Sequence, residues 1–259
     1  MTPEITDILA SFKSLKLDAM EKVKLMDRYD TKFVLPVNHV PALLEIMRDK
    51  YNVLEINGLR ISSYSTVYLD THDYMFFNQH ITGRNGRVKI RYRNYISTGV
   101  TFLEIKKKTK KNKTVKWRTE NILSGNKFDE YAVKFITKHL PLNTEELKPV
   151  LVNSFKRITL VSDDPPERVT IDMDLAFSMP DGKEKKLPLI AVAELKSEGL
   201  GSRSPFSMLA KELALYPTGF SKYCIGNAII YDLPRKNILK PKLLLINRIE
   251  NEYNGALSA

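Results

Sequence analysis

Residues 84–118 read RNGRVKIRYRNYISTGVTFLEIKKKTKKNKTVKWR and hold 13 Lys/Arg but a single acid, Glu104. The whole chain has 41 Lys/Arg and 30 Asp/Glu. The other 224 residues therefore hold 28 Lys/Arg against 29 Asp/Glu and are close to neutral. The net charge of +11 thus belongs to one segment. Positive charge concentrated in this way indicates a densely negative partner.

The basic residues of this segment follow the period of a β-strand. The cations on alternate positions of a first strand are Arg87, Lys89, Arg91 and Arg93. Because side chains on a strand alternate between its faces, we expect a row of cations on one face and an apolar row on the other. Two further strands repeat the spacing, with Glu104, Lys106 and Lys108 on one and Lys116, Arg118 and Glu120 on the next. Three such strands predict the wall of a groove or tunnel for a polyanion.

The composition is that of an ordinary globular protein, with 43% hydrophobic and 27% charged residues in 259. No apolar run approaches the roughly 20 residues of a transmembrane helix, and the N-terminus lacks the pattern of a signal peptide. Cys224 is the only cysteine. A single cysteine excludes an internal disulfide and a cysteine-rich zinc site, and it fits a reducing cytosol. We therefore expect a cytoplasmic protein without a transmembrane segment.

The rest of the chain mixes helical periodicity with strands of alternating polarity. Helices are predicted at residues 3–26, 38–49, 127–139 and 205–215, strands at 27–35, 61–70, 150–162, 167–177 and 188–196, and a loop at 219–226. The lysine cluster at 106–113 predicts a solvated hairpin tip. Many antiparallel-type strands favour a closed barrel with its polar face inside over a doubly wound sheet.

A tunnel lined by Arg and Lys with few carboxylates fits phosphoryl chemistry, because guanidinium and ammonium groups bind phosphate oxygens. Glu194 is a candidate ligand for a divalent metal, since it shares a face with Lys196 on an otherwise apolar strand. The same pattern equally allows these two residues simply to pair with charges across the sheet.

Taken in order, a set of short motifs resembles the catalytic domain of the vacuolar transporter chaperone (VTC) family, the polyphosphate polymerases of the triphosphate tunnel (CYTH-like) superfamily. The motifs are RYDTKF (28–33), YLDT (68–71), KIRYR (89–93), EIK (104–106), Lys116, Arg157, Arg168 with Asp172, ELK (194–196) and FSKY (220–223). The resemblance covers about residues 20–235, and its specificity lies in the ordered set.

The resemblance implies an α+β fold, a closed antiparallel β-barrel with peripheral helices. It implies a single tunnel domain over residues 1–259, with N-terminal helices at 3–26 and a C-terminal tail at 234–259. It further implies that ATP donates its γ-phosphate to a growing polyphosphate chain, with a divalent metal, Mn²⁺ or Mg²⁺, held by Glu194. Family relatives are associated with membrane components, so a membrane-protein partner is a further expectation.

The resemblance also implies roles for individual residues. The residues implied in catalysis are Lys32, Arg91, Arg93, Arg157, Arg168 and Glu194. The residues implied in binding ATP and polyphosphate are the five cations of that set together with Arg28, Arg84, Lys89, Lys106, Lys116, Lys196, Ser221 and Lys222. In the wider superfamily the first strand carries the motif Glu-x-Glu-x-Lys. This chain has Arg28, Asp30 and Lys32 at the corresponding positions. Loss of the first acid weighs against a metal-rich triphosphatase.

Two other functions stay open at this stage. One is a tunnel triphosphatase that hydrolyses triphosphate or nucleoside triphosphates, and the other is a non-catalytic domain that binds polyanions. Nucleic acid is not expected as a partner, because base recognition uses exposed aromatic rings. Tyr92 and Trp117 instead fall on the strand face opposite to the cations and are predicted to lie in the core.

Overall fold

The computed structural model of the protein describes residues 3–22, 28–109, 113–125, 127–180, 182–198 and 204–257. The helices within these ranges are α1 (Pro3–Ala10), α2 (Leu17–Lys22), α3 (Val40–Met47), α4 (Met75–Ile81), α5 (Glu130–His139), α6 (Pro205–Glu212), α7 (Lys222–Ile230) and α8 (Lys240–Leu257). The strands are β1 (Ser14–Leu15), β2 (Arg28–Pro36), β3 (Asn52–Leu54), β4 (Ile61–Thr71), β5 (Val88–Tyr95), β6 (Val100–Lys108), β7 (Thr114–Glu120), β8 (Leu147–Asp163), β9 (Pro166–Ser178), β10 (Glu184–Leu187) and β11 (Ile190–Glu198).

One sheet carries all of these strands, in the order β2-β11-β9-β8-β4-β5-β6-β7, with β10 beside β9 and β3 beside β8. The described pairs are antiparallel apart from the short parallel contact of β1 with β3. The α+β class and the antiparallel sheet with peripheral helices are therefore confirmed.

The prediction of a closed barrel is wrong. β2 and β7 stand at opposite ends of the order, and no ladder joins them within the described ranges. The outer edge of β2 is already occupied, because Thr218 N–H donates to the carbonyl of Lys32 at 2.6 Å and Phe33 bridges to Pro217. β7 is largely exposed and charged, as free edge strands commonly are.

The open sheet nevertheless curls strongly around one face. Four strands separate β2 from β5, so a flat sheet would hold them about 24 Å apart at about 4.8 Å per step. Burial lowers the pKa of Lys89 on β5 most, and the nearby charges of Arg91 and of Lys32 on β2 lower it further. The loop at 218–221 bridges the two strands across the concave face, because Thr218 N–H donates to the Lys32 carbonyl at 2.6 Å and Lys89 Nζ donates to Ser221 Oγ at 3.2 Å.

Apolar side chains cover the convex face of the sheet. At one end, Leu35, Ile171 and Leu195 pack with buried residues of α1, α3 and α6. At the other end, strands β5 and β6 pack under α5 through Ile90 and Leu103. The predicted core residues of the basic segment belong here: Tyr92 is buried, and Trp117 stacks on His139 of α5 with ring centroids 4.6 Å apart. The face opposite to the cations is therefore a core face, as alternation predicted.

Several local predictions need correction or lie outside the described ranges. Helices α4 and α8 and strands β3 and β10 were not predicted, and β1 interrupts the helical region predicted at 3–26. Residues 23–27 and 110–112, which belong to predicted elements, lie outside the part of the chain that the structure describes.

The segment predicted as a loop at 219–226 is helical from Lys222 onward. Ser221 caps α7 by accepting a hydrogen bond from the Cys224 N–H at 3.2 Å. Gly226, which favoured a loop, is required by packing inside the helix. A Cβ added there would lie 2.5 Å from Phe177 Cδ1 and 2.6 Å from Leu151 Cδ2. The glycine therefore lets α7 approach the sheet closely.

Replacing Gly226 by alanine tests this close approach. Alanine ordinarily stabilises a helix interior relative to glycine by about 1 kcal/mol, but overpacking here should reverse the sign and lower the free energy of unfolding by about 1–3 kcal/mol. Urea unfolding of Gly226→Ala measures the change. Gly182→Ala is the matched control, since nothing lies within 4 Å of its added Cβ. Equal stability of the two variants would contradict the packing argument.

Candidate functional site

Three carboxylates on the concave face each contact two cations. They are Glu194 with Lys32 and Lys196, Asp172 with Arg157 and Lys222, and Glu104 with Arg91 and Lys116. The strand registers produce these clusters, because residues directly opposite on paired strands share a face. Two cations therefore meet each of these carboxylates, and in the first cluster Asp30, opposite Lys196, adds a second negative charge.

The first cluster joins β2 and β11. Glu194 lies opposite Lys32 in the register, and Lys196 lies opposite Asp30. Lys196 Nζ is 2.5 Å from Glu194 Oε2, and Lys32 contacts the other carboxylate oxygen. Burial raises the pKa of Glu194, but attraction to Lys196 and Lys32 outweighs it and leaves the pKa well below its ordinary value. Glu194 is thus ionised with both oxygens engaged.

The second cluster joins β8, β9 and the start of α7. Arg157 holds Asp172 in bidentate fashion, with Nε 2.5 Å from Oδ1 and Nη2 2.8 Å from Oδ2. Lys222, the first residue of α7, contacts Oδ2 as well. Burial raises the pKa of Asp172, but Arg157 and Lys222 together bring it below its ordinary value. Asp172 therefore fixes the helix N-terminus to the sheet.

The third cluster lies on β5, β6 and β7. Glu104 is fully buried, with its Oε2 2.8 Å from Arg91 Nε and 2.6 Å from Arg91 Nη2, and Lys116 contacts Oε1. The pKa of Glu104 is lowered although burial acts in the opposite direction, because Arg91, Arg93 and Lys116 are close. This acid holds the cations of the basic segment in position.

Three more cations form no ion pair with an acid within the described ranges: Lys89, Arg93 and Lys106. Lys89 Nζ donates to Ser221 Oγ at 3.2 Å, and Arg93 Nε is 3.4 Å from Thr66 Oγ1. The pKa of Lys106 lies well below its ordinary value, because the charge of Arg91, then burial and the charge of Arg93, disfavour its protonated form. Such crowding of like charges is relieved by a bound anion.

Two aromatic rings lie beneath several of these cations. Tyr64 and Phe155 stack with ring centroids 5.1 Å apart and planes 6° apart. The guanidinium carbons of Arg93 and Arg157 lie between 5.2 and 5.8 Å from both centroids, and Lys222 Nζ lies 4.5 Å from that of Phe155. Cation–π attraction therefore orients three cations without neutralising their charge.

The structure brings most of the predicted site residues onto one concave surface. These are Lys32, Lys89, Arg91, Arg93, Lys106, Lys116, Arg157, Glu194, Lys196, Ser221 and Lys222. Arg168 is half-buried on β9 opposite Lys196, at the end of the same surface. The backbone of Arg28 lies in β2 opposite Glu198, and its side chain is outside the described part of the chain.

Two arginines of the basic segment lie elsewhere. Arg84 is exposed in the turn between α4 and β5, outside the strands of the sheet. Arg87 precedes β5, and its Nη1 donates to the carbonyls of Gly83 at 3.1 Å and Arg84 at 3.0 Å. The expected row of four cations on this strand is therefore a row of three.

Sequence reasoning named Asp172 and Glu104 within motifs but assigned them no role, and it missed Tyr64 and Phe155. The acids share a strand face with cations, so alternation could have identified them as their partners. The aromatic pair needs the register of β4 with β8, which places Tyr64 opposite Phe155. No local pattern reveals that pairing.

The side chains of this site supply only part of the ligands that a divalent metal needs. No three His, Cys, Asp or Glu side chains cluster as a metal site in the described ranges. Divalent cations prefer about six oxygen ligands, whereas Glu194 offers two oxygens that lysines already contact. A one-carboxylate site fits Mg²⁺ or Mn²⁺ when phosphate oxygens and water complete the shell.

Comparison with known proteins identifies the family. The model of the VTC domain matches residues 27–231. The chain belongs to the VTC domain family. The family that the ordered motifs predicted over about residues 20–235 is thus confirmed over nearly the same part of the chain. No curated protein sequence matches the chain.

Solved structures resemble this VTC domain in fold. A Bacillus halodurans protein provisionally described as an adenylate cyclase has a TM-score of 0.51 and 13% identity, over 76% of this chain and 96% of that chain. Hippeastrum HpAC1, provisionally described as an adenylyl cyclase with a dominant triphosphatase activity, has a TM-score of 0.49 and 13% identity. The match covers 81% of this chain and 98% of that chain. At such identity the first likeness shows the fold alone. In the part of the chain described, no helix combines the length and apolarity needed to cross a membrane.

The crowded Lys106 predicts an unusual pH dependence. Because its pKa is lowered, this lysine should lose its proton below the ordinary lysine value of about 10.4. Anion binding favours the protonated form, so affinity for tripolyphosphate should fall as pH rises through the lowered pKa.

Calorimetric titration of tripolyphosphate from about pH 7 to pH 10 measures this effect. Lys106→Met should weaken the pH dependence without abolishing it, because burial also lowers the pKa of Lys89, Lys196 and Lys222. Lys107→Met, a matched loss of charge at the next position on β6, should retain it. An unchanged pH profile in Lys106→Met would contradict the assignment.

Proposed function

We propose that this VTC domain is an ATP-dependent polyphosphate polymerase, which transfers the γ-phosphate of ATP to a growing chain of inorganic polyphosphate. The observation that carries the proposal is the surplus of cations on the concave face. Each of the three carboxylates that define the clusters contacts two cations. Lys89, Arg93 and Lys106 form no ion pair with an acid in the described ranges. A surface of this composition suits a linear ligand with a charge on every unit.

The clusters also suit phosphoryl transfer in particular. Catalysis of this reaction depends mainly on positioning phosphates in line and on neutralising charge. Glu104 and Asp172 already hold Arg91 and Arg157 through charge-assisted hydrogen bonds. Guanidinium groups fixed in this way need little reorganisation when charge shifts in the transition state.

In the proposed reaction, a terminal phosphate oxygen of polyphosphate attacks the γ-phosphorus of ATP. A new P–O bond forms, the bond from the γ-phosphorus to the β,γ-bridging oxygen breaks, and ADP leaves with the electron pair. The polymer grows by one unit, and no protein nucleophile is needed. The residues proposed to neutralise the transferring group are Lys32, Arg91, Arg93, Arg157 and Arg168. The residues proposed to hold the remaining phosphates are Lys89, Lys106, Lys116, Lys196, Ser221 and Lys222.

Glu194 is proposed as the one carboxylate of a metal site completed by phosphate oxygens. A bound divalent cation, Mn²⁺ or Mg²⁺, would supply charge neutralisation on the phosphates. Lys32 and Lys196, which hold the carboxylate in this structure, would then be free to contact phosphate themselves. The scarcity of carboxylates favours this arrangement over the acid-rich site of a metal-dependent triphosphatase.

Incubation with ATP and Mn²⁺ tests the proposed reaction directly. We expect a ladder of long polyphosphate on a gel, with one ADP formed for each phosphate transferred. Release of ADP and orthophosphate without a ladder would instead identify a triphosphatase. No turnover of ATP, together with tight binding of polyphosphate, would identify a non-catalytic polyanion-binding domain.

Glu194→Gln separates catalysis from binding. The amide keeps the shape of the side chain and removes its charge, so turnover should fall by about 100-fold or more. Affinity for tripolyphosphate should stay within about threefold, since the loss of a negative charge does not weaken anion binding. The matched control is Glu184→Gln on the exposed strand β10, which should change neither quantity. Retention of full turnover in Glu194→Gln would remove this residue from the mechanism.

A further inference from the structure

We propose that Lys242 of helix α8 supplies one more cation at the rim of the phosphate site, beside Gly219. The inference rests on the proposed function and deepens it. Lys242 lies beyond residues 27–231, which the family model matches. The rim would therefore be completed by a helix outside the matched region.

The geometry places the ammonium of Lys242 directly over the Gly219 backbone. Lys242 Nζ lies 3.5 Å from the position that a Cβ on Gly219 would take, and no other heavy atom is closer. Gly219 itself is exposed, whereas Lys242 is half-buried. The ammonium of Lys242 is therefore within van der Waals reach of the loop at residue 219.

The loop under Lys242 connects two parts of the candidate site. Thr218 N–H donates to the carbonyl of Lys32 at 2.6 Å, and this contact fixes the loop beside the first cluster. Ser221 accepts from Lys89, and Lys222 contacts Asp172. At about 3.8 Å between consecutive Cα atoms, Gly219 lies within about 8 Å of Ser221.

The charge of Lys242 is not neutralised by the surrounding chain. No ion pair joins it to an acid within the described ranges, and its own helix carries Glu250 and Glu252 only at least eight positions further on. At 1.5 Å per residue, these acids stand about 12 Å or more along the helix. An ammonium group with three donors and no carboxylate partner is suited to a phosphate oxygen. Lys242 therefore extends the positive surface beyond Lys32 and Lys222.

Three variants test this role through the binding of tripolyphosphate, measured by calorimetric titration of the full chain at low salt. Lys242→Met should weaken binding by about three- to tenfold, as expected for the loss of one partly buried charge contact. The control Lys240→Met removes the same charge from an exposed residue of the same helix. Residues two apart on a helix do not share a face, so this control should bind like the wild type.

The double variant Gly219→Lys with Lys242→Met tests whether binding needs a cation at this place or needs Lys242 itself. Gly219 is outside the left-handed region of φ, and a Cβ there meets only the Lys242 ammonium, which the second substitution removes. A lysine on the loop should therefore restore binding to within about twofold of the wild type. A merely structural role of Lys242 predicts no such rescue, and thermal unfolding of each variant verifies that it is folded.

Wild-type affinity in Lys242→Met would overturn the inference, as would equal weakening by Lys240→Met. These outcomes leave the polymerase proposal intact, because the gel assay of wild-type protein decides that separately. Binding of tripolyphosphate without any polyphosphate ladder would overturn the polymerase alone, and the comparison of variants would still decide the role of Lys242. A wild-type protein that does not bind tripolyphosphate would overturn both.

Discussion

The contact of one buried or half-buried carboxylate with two cations is the interaction on which the concave face depends. Burying an unpaired charge costs several kcal/mol, and a single carboxylate reduces that cost for both of its neighbours. Glu194, Asp172 and Glu104 each do this on different strands. Because two cations meet each carboxylate, and Lys89, Arg93 and Lys106 form no ion pair within the described ranges, the fold gains stability from the acids without losing its attraction for anions.

The same contacts connect elements that are distant in sequence. Arg157 and Asp172 lie on β8 and β9, and Lys222 brings the N-terminus of α7 to them. Tyr223, the next residue of that helix, donates to the buried Asp70, which also accepts from backbone N–H groups of α4. The helix that presents Ser221 and Lys222 is therefore held on both sides by carboxylates. Burial and the charge of Asp70 raise the pKa of Tyr223 well above its ordinary value, so it remains a donor.

The openness of the sheet has a consequence for the site. Closure by pairing of β7 with β2 would cover the edge of β2 near Lys32. The loop that carries Thr218 occupies this edge instead and places Gly219 beside α8. The concave surface thus receives contributions from the strands, from α7 and from the C-terminal helix, whereas a closed barrel would offer strands alone.

The sequence by itself determined the cationic rows, the opposite core face with Tyr92, and the VTC family, because side-chain alternation is a local property and the motifs are ordered along the chain. Only the tertiary structure decided which cations meet. Arg87 bonds to a neighbouring turn, and the stacking of Tyr64 on Phe155 depends on register. The helical conformation of α7 around Gly226, the open edge of the sheet and the approach of Lys242 to Gly219 also depend on contacts between distant segments. Local periodicity carries no information about such contacts.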